Sequence, residues 1–139
     1  MARFNQIGGS QIYQPDLETG KACGPISNLQ ITINDLGDSF ITVNVNWVYP
    51  SGVNIDTPPQ LYNLTWNTDI STNERVVSPS PLNNSNSHNF QINKIELEGA
   101  KILNVYLQAN CGGNKNSNKL KSNDVNIECL APYDVSIKD

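Results

Sequence analysis

The stretch from Ser39 to Pro50, SFITVNVNWVYP, is the strongest constraint on what this chain can fold into. Ile41, Val43, Val45 and Trp47 fall on one side, and Thr42, Asn44 and Asn46 on the other. Alternation with a period of two, rich in β-branched residues, predicts a strand with one buried face. Pro50-Ser51-Gly52 ends it, and a Trp closing an apolar face needs a second layer to cover it.

The other strands are readable on both sides of this stretch. Leu29, Ile31 and Ile33 alternate after the Gly24-Pro25 break, and Asp35-Leu36-Gly37-Asp38 predicts a turn into the Trp47 strand. Leu61 to Asn67 carries Tyr62, Leu64 and Trp66 on one face, and a brief strand follows at Arg75-Val76-Val77. Pro79 and Pro81 keep that brief strand at an edge. Asn89 to Ile95 is a further strand with Phe90 and Ile92 inward, and Glu98-Gly99 a turn. Ile102 to Asn110 follows, with Leu103, Val105, Leu107 and Ala109 inward. After a polar loop, GGNKNSNK, a weakly patterned last strand runs from Lys121 to Glu128, with Val125 and Ile127 inward. No segment of ten residues has a helical period. Seven short strands at regular spacing predict an all-β antiparallel sandwich over residues 24–129. Its expected core is Ile41, Val43, Val45, Trp47, Tyr62, Leu64, Trp66, Leu103, Val105, Leu107 and Ala109.

Two segments flank that domain. Residues 1–23 lack periodicity but carry Phe4, Ile7, Ile12, Tyr13 and Leu17, which predicts an N-terminal arm that packs on something. Residues 130–139, LAPYDVSIKD, are a short C-terminal tail in which Tyr133 and Ile137 are expected to serve the same end.

The chain of 139 residues has a formal net charge of −4, which supplies no basic footprint for a nucleic-acid backbone. Only 16% of residues are charged while 21 are Asn, a surface that suits a particle-exposed or extracellular protein, or an AT-rich genome. No window approaches a membrane span, and MARFNQIGGSQIYQPDLE has no signal-peptide apolar region. The expectation is synthesis in a host cytoplasm without secretion.

Catalytic groups are scarce. His88 is the only His and is read as a solvated loop residue. Asp35 and Asp38 around Gly37 lack the ligand spacing of a calcium loop and read as a plain turn. Cys23, Cys111 and Cys129 form no CxxC pair, so zinc is not expected, and three reduced, partly buried thiols is the simplest reading. Tyr49 and Tyr106 fall on the outward register. Asn63-Leu64-Thr65 and Asn83-Asn84-Ser85 match the glycosylation pattern but are read as chance in so Asn-rich a chain. No enzyme, cofactor or metal is expected.

Pro25…Asn28-Leu29, Trp47 before Pro50-Ser51-Gly52, Tyr62-x-Leu64-x-Trp66 and Leu97…Leu103-x-Val105-x-Leu107-x-Ala109-Asn110 together resemble a fibronectin type III domain, an immunoglobulin-like sandwich, over Pro25 to Cys129. Leu103 stands where that family usually places a corner tyrosine, so the corner hydrogen bond is expected to be missing. The resemblance implies that the loops 51–59, 82–87 and 112–119 share the pole where the arm enters. It also implies that Cys23 and Cys111 lie at that pole and Cys129 at the other, so any disulfide would be Cys23–Cys111. The family's integrin-binding tripeptide does not occur in the 112–119 loop.

The functional expectation is a non-enzymatic structural or decoration protein on the surface of a phage or viral particle, docking by its terminal arms onto protein partners, copies of itself included. The alternative is an extracellular adhesion module that binds carbohydrate or a protein receptor through the loops at one pole.

Overall fold

A computed structural model describes residues 21–77 and 86–132. Two antiparallel sheets hold the elements. Strands β1 (Ser27–Asn34), β2 (Phe40–Val48) and β5 (Ser87–Asn93) form one, in the order β1-β2-β5. Strands β4 (Arg75–Val76), β3 (Leu61–Thr68), β6 (Ile102–Asn110) and β7 (Leu120–Lys121) form the other in that order, with β8 (Val125–Asn126) also on β6. The arrangement is compatible with a β-sandwich.

Alternation explains why these segments are strands with one wet face. In β2, Ile41, Val43, Val45 and Trp47 are buried while the residues between them are not. Tyr62, Leu64 and Trp66 in β3, and Leu103, Val105, Leu107 and Ala109 in β6, are buried opposite them in one continuous apolar cluster. The β3/β6 register sets Leu64 against Leu107 and Trp66 against Val105. Burying a side chain of this size contributes roughly 1.5–3 kcal/mol against leaving it in water, so this cluster dominates stability.

Several expectations need correction. The described residues hold eight strands, not seven, because the predicted last strand is broken. It departs from β6 between Lys121 and Val125, where Ser122 N–H still donates to Val105 O but Ser122 Oγ, not a carbonyl, accepts from Val105 N–H. The predicted strand Asn89–Ile95 begins at Ser87 and stops at Asn93, where Lys94–Leu97 tightens into a single 3-10 turn closed by Gly99 at φ +85°. His88 lies within β5 rather than in a loop, half-buried opposite Val45. Tyr49 is not an outward residue. Its ring packs edge-on against Tyr62, with centroids 6.3 Å apart, and it is half-buried. The residues Phe4, Ile7, Ile12, Tyr13, Leu17, Tyr133 and Ile137, and the Asn83-Asn84-Ser85 match, lie outside the described residues.

Candidate docking site at the root of the N-terminal arm

The three-thiol expectation does not hold: a disulfide joins Cys23 to Cys111, and Cys129 is a free, exposed thiol. The bond ties the described start of the chain to the end of β6. Ala22 beside it pairs in parallel with Ile55: Ala22 N–H donates to Asn54 O at 2.8 Å, and Asp56 N–H donates to Ala22 O at 2.8 Å. The loop 51–59 therefore holds the arm's root from one side and the 110–116 turn from the other. An ion pair between Lys115 and Asp56 bridges those two loops directly.

Tyr49 organises this pole. Its hydroxyl donates to the Asp56 carbonyl, accepts from the Gly24 amide at 3.1 Å, and lies 3.3 Å from Cys111 Sγ. Burial pushes the phenol above its ordinary range, so it stays protonated and able to donate through the physiological pH range. Gly24 is required where it stands. At φ +90° an L side chain is strained, and a Cβ would lie 2.7 Å from Ser117 Cβ. A cavity of about 380 Å³ opens beside this cluster, lined by Tyr49, Pro50, Ser51, Thr57, Pro58, Pro59, Tyr62 and Asn86.

A second device, invisible to the pattern reading, closes the outer side of β1. Ser117-Asn118 and Ser122-Asn123 repeat the same dipeptide five positions apart. Each Ser hydroxyl accepts from a β6 amide: Ala109 N–H to Ser117 Oγ at 2.8 Å, and Val105 N–H to Ser122 Oγ at 2.9 Å. Each Asn amide reaches the other sheet. Asn118 accepts from Ile26 N–H at 2.9 Å and donates to Ile26 O at 3.2 Å. Asn123 does the same to Ile31, at 2.8 and 3.1 Å. The amide imitates a backbone partner, so the outer edge of β1 is capped by side chains from beyond β6.

At the opposite pole, Lys94 is buried, yet its ammonium pairs with Asp35 at 2.7 Å and donates to the Ala131 carbonyl at 2.6 Å. Asp35 also accepts from Gly37 N–H and Ala131 N–H. The Lys94 ammonium, then the Ala131 amide, hold this carboxyl below its usual range. The plain turn is thus also the anchor of the C-terminal residues.

The remaining candidates are scattered. His88 borders a groove with Trp66 and Phe90, and burial lowers its pKa, leaving it neutral at pH 7. Tyr106 is half-buried under the Lys119 ammonium, 5.4 Å from its ring centre. Asn63 stands exposed on β3. Among the described residues no three His, Cys, Asp or Glu side chains are grouped to hold a metal. None of the described helices is long and apolar enough to cross a membrane. Compared with known proteins, the chain matches no family model and no curated protein sequence.

Proposed function

We propose that this chain is a non-enzymatic structural or decoration subunit on the surface of a phage or viral particle. In this reading it is an immunoglobulin-like sandwich of fibronectin type III kind that docks on its neighbours, copies of itself included, through the N-terminal arm. The sheet order supports the fold part, with first, second and fifth strands in one sheet and third, sixth and last strands in the other. The observation that carries the functional part is the covalent root of the arm. Cys23–Cys111 and the Ala22–Ile55 bridge fasten residue 22 to both flanking loops, so a pull on the arm is passed to the β6 end of the core. A tail with no mechanical role needs no such weld. A half-exposed disulfide also suits a protein that works at a particle surface, outside a reducing cytosol.

Light scattering on the full chain and on residues 21–139 tests the reading. The expected result is an assembly that falls to monomers when residues 1–20 are removed, with the disulfide intact in both. Monomers of equal compactness in both cases would overturn docking between copies.

The second reading, carbohydrate binding at the same pole, is favoured by the 380 Å³ cavity, where Ser51, Thr57 and Asn86 stand beside Tyr49 and three prolines. These neutral donors and acceptors match sugar hydroxyls. A glycan array read with the wild type and with Asn86→Ala tests it. Binding that the substitution abolishes is expected on this reading.

A further inference from the structure

The Cys23–Cys111 bond joins two segments that hold themselves to different degrees. On one side the 110–116 turn closes by its own bonds, Cys111 N–H to Lys115 O at 2.8 Å and Lys115 N–H to Gly112 O at 2.9 Å, with Asn110 bridged to Asn116. On the other side residues 21–24 are weakly placed. Lys21 and Ala22 are exposed, so they gain little from apolar burial. The pairing of Ala22 with Ile55 is an isolated bridge and not a rung of a ladder. Gly24 N–H adds a bond to the Tyr49 hydroxyl at 3.1 Å. From Ile26 onward the chain is secured independently, because that side chain is buried and Asn118 holds both its N–H and its C=O.

The bond is also within reach of a reductant. Cys23 and Cys111 are both half-exposed, and exposed disulfides are the ones that exchange with thiols in solution. In the reduction a small-molecule thiolate attacks Cys23 Sγ, and the electron pair of the S–S bond leaves on Cys111 Sγ. That sulfur lies 3.3 Å from the Tyr49 hydroxyl, which can turn its proton from the Asp56 carbonyl to the departing thiolate, a charged and stronger acceptor. A second thiol attacks the mixed disulfide, frees Cys23 Sγ and departs with the first as a small-molecule disulfide. Each protein sulfur takes up one proton, so two thiols are oxidised for the one bond reduced. Cys23 Sγ then has a weak S–H contact to the Ala109 carbonyl, 3.7 Å away.

We propose that Cys23–Cys111 is a redox latch on the root of the arm. A small-molecule thiol opens it and frees residues 21–24 from the 51–59 loop while both sheets stay folded, and oxidation closes it again. The latch regulates docking by the arm, and in that use it rests on the docking reading. A chain kept reduced has an arm root uncoupled from β6, and a chain in oxidising surroundings has one tied to it. Assembly through the arm is thereby favoured outside a reducing cytosol.

Amide hydrogen exchange on residues 1–139, oxidised and then treated with dithiothreitol in native buffer, tests the latch. Alkylation should count one thiol before treatment, Cys129, and three after it. On reduction the Ala22 and Asp56 amides, which donate across the bridge, should lose protection about 10-fold or more. The Ile31 and Val105 amides, held by Asn123 and Ser122, should keep theirs. The paired Cys23→Ser and Cys111→Ser variant should show the same pattern with no reductant. Unchanged protection at Ala22 and Asp56 in the reduced chain would overturn the proposal. So would loss at Ile31 and Val105 in step with Ala22, which would make the bond a support of the whole fold, or a bond that dithiothreitol leaves intact without denaturant. Light scattering on the same samples separates the latch from the docking reading. Monomers in both redox states overturn docking between copies, and an assembly of equal mass in both states, with Ala22 released, overturns the regulation.

Discussion

Asn123 and Ile31 stand 92 positions apart and meet as a strand pair made from one backbone and one side chain. The Asn amide occupies both the N–H and the C=O of a residue whose own side chain is buried, and Asn118 repeats the arrangement at Ile26. Asn123→Ala should therefore cost about 1–2 kcal/mol, because two backbone groups lose their partner while water regains partial access. Asn123→Asp should cost nearly as much, since a carboxylate oxygen then faces the Ile31 carbonyl. Urea unfolding checks both, and a loss under about 0.5 kcal/mol for Asn123→Ala would mean the clasp is incidental.

The Asp35–Lys94 pair predicts an acid-sensitive pole. Asp35 titrates below its ordinary range in the folded chain, so its contribution is complete above the unfolded value of about 4 and is lost as pH falls through the lower folded value. Stability followed from pH 6 down to pH 2 should drop in that window. The drop should flatten in Asp35→Asn, which leaves the buried ammonium unpaired and costs about 3 kcal/mol at pH 7. Lys94→Met should cost less, since the carboxylate left behind still has two backbone donors and partial solvent access.

Glycine substitutions separate two kinds of constraint. Gly24→Ala should destabilise by about 2 kcal/mol or more, combining left-handed backbone strain with the Ser117 clash. Gly37→Ala, at φ +85° with nothing within 4 Å, should lose only the backbone term of roughly 1 kcal/mol. Equal thermal shifts for the two would mean that the contact with Ser117 relaxes freely.

Removing the disulfide should lower stability without changing the fold. Cys23 and Cys111 are 88 positions apart, and loop-closure arithmetic for so long a loop gives about 4–5 kcal/mol as the upper range. The paired Cys23→Ser and Cys111→Ser variant should unfold at lower urea and keep the wild-type β-sheet circular dichroism. A midpoint equal to that of the wild type would show that the Ala22–Ile55 bridge and Tyr49 hold the arm root unaided.

Strands with one wet face were legible because their side chains write the pattern directly. Ser39–Pro50 predicted β2 almost to the residue, and Ile102–Asn110 matches β6. The last strand reads as continuous in the sequence but is broken, because at Ser122 a side-chain oxygen rather than a carbonyl accepts from Val105 N–H; Ser117, which does the same for Ala109, falls in the stretch read as a polar loop. Tyr49 was placed outward by register alone, but it follows the end of β2, where the alternation no longer fixes direction. Lys94 was passed over because a charged residue is rarely buried, and only its fold partners Asp35 and Ala131 make it so. Asn abundance was read as surface solvation. The repeated Ser-Asn dipeptide at a five-residue interval was the one sequence signal that pointed elsewhere.

The clasps on β1 carry a consequence for biosynthesis. Ile26 and Ile31 leave the ribosome 92 positions ahead of their partners Asn118 and Asn123. The strand β1 cannot be sealed at its outer side until Asn118 and Asn123 have emerged, and contacts this distant in sequence slow folding. During synthesis that strand is an exposed template for a neighbouring nascent chain. A chain truncated just before Asn118 should aggregate while residues 1–139 stay in solution, and the sensitive step is the synthesis of the stretch that carries Asn118 and Asn123.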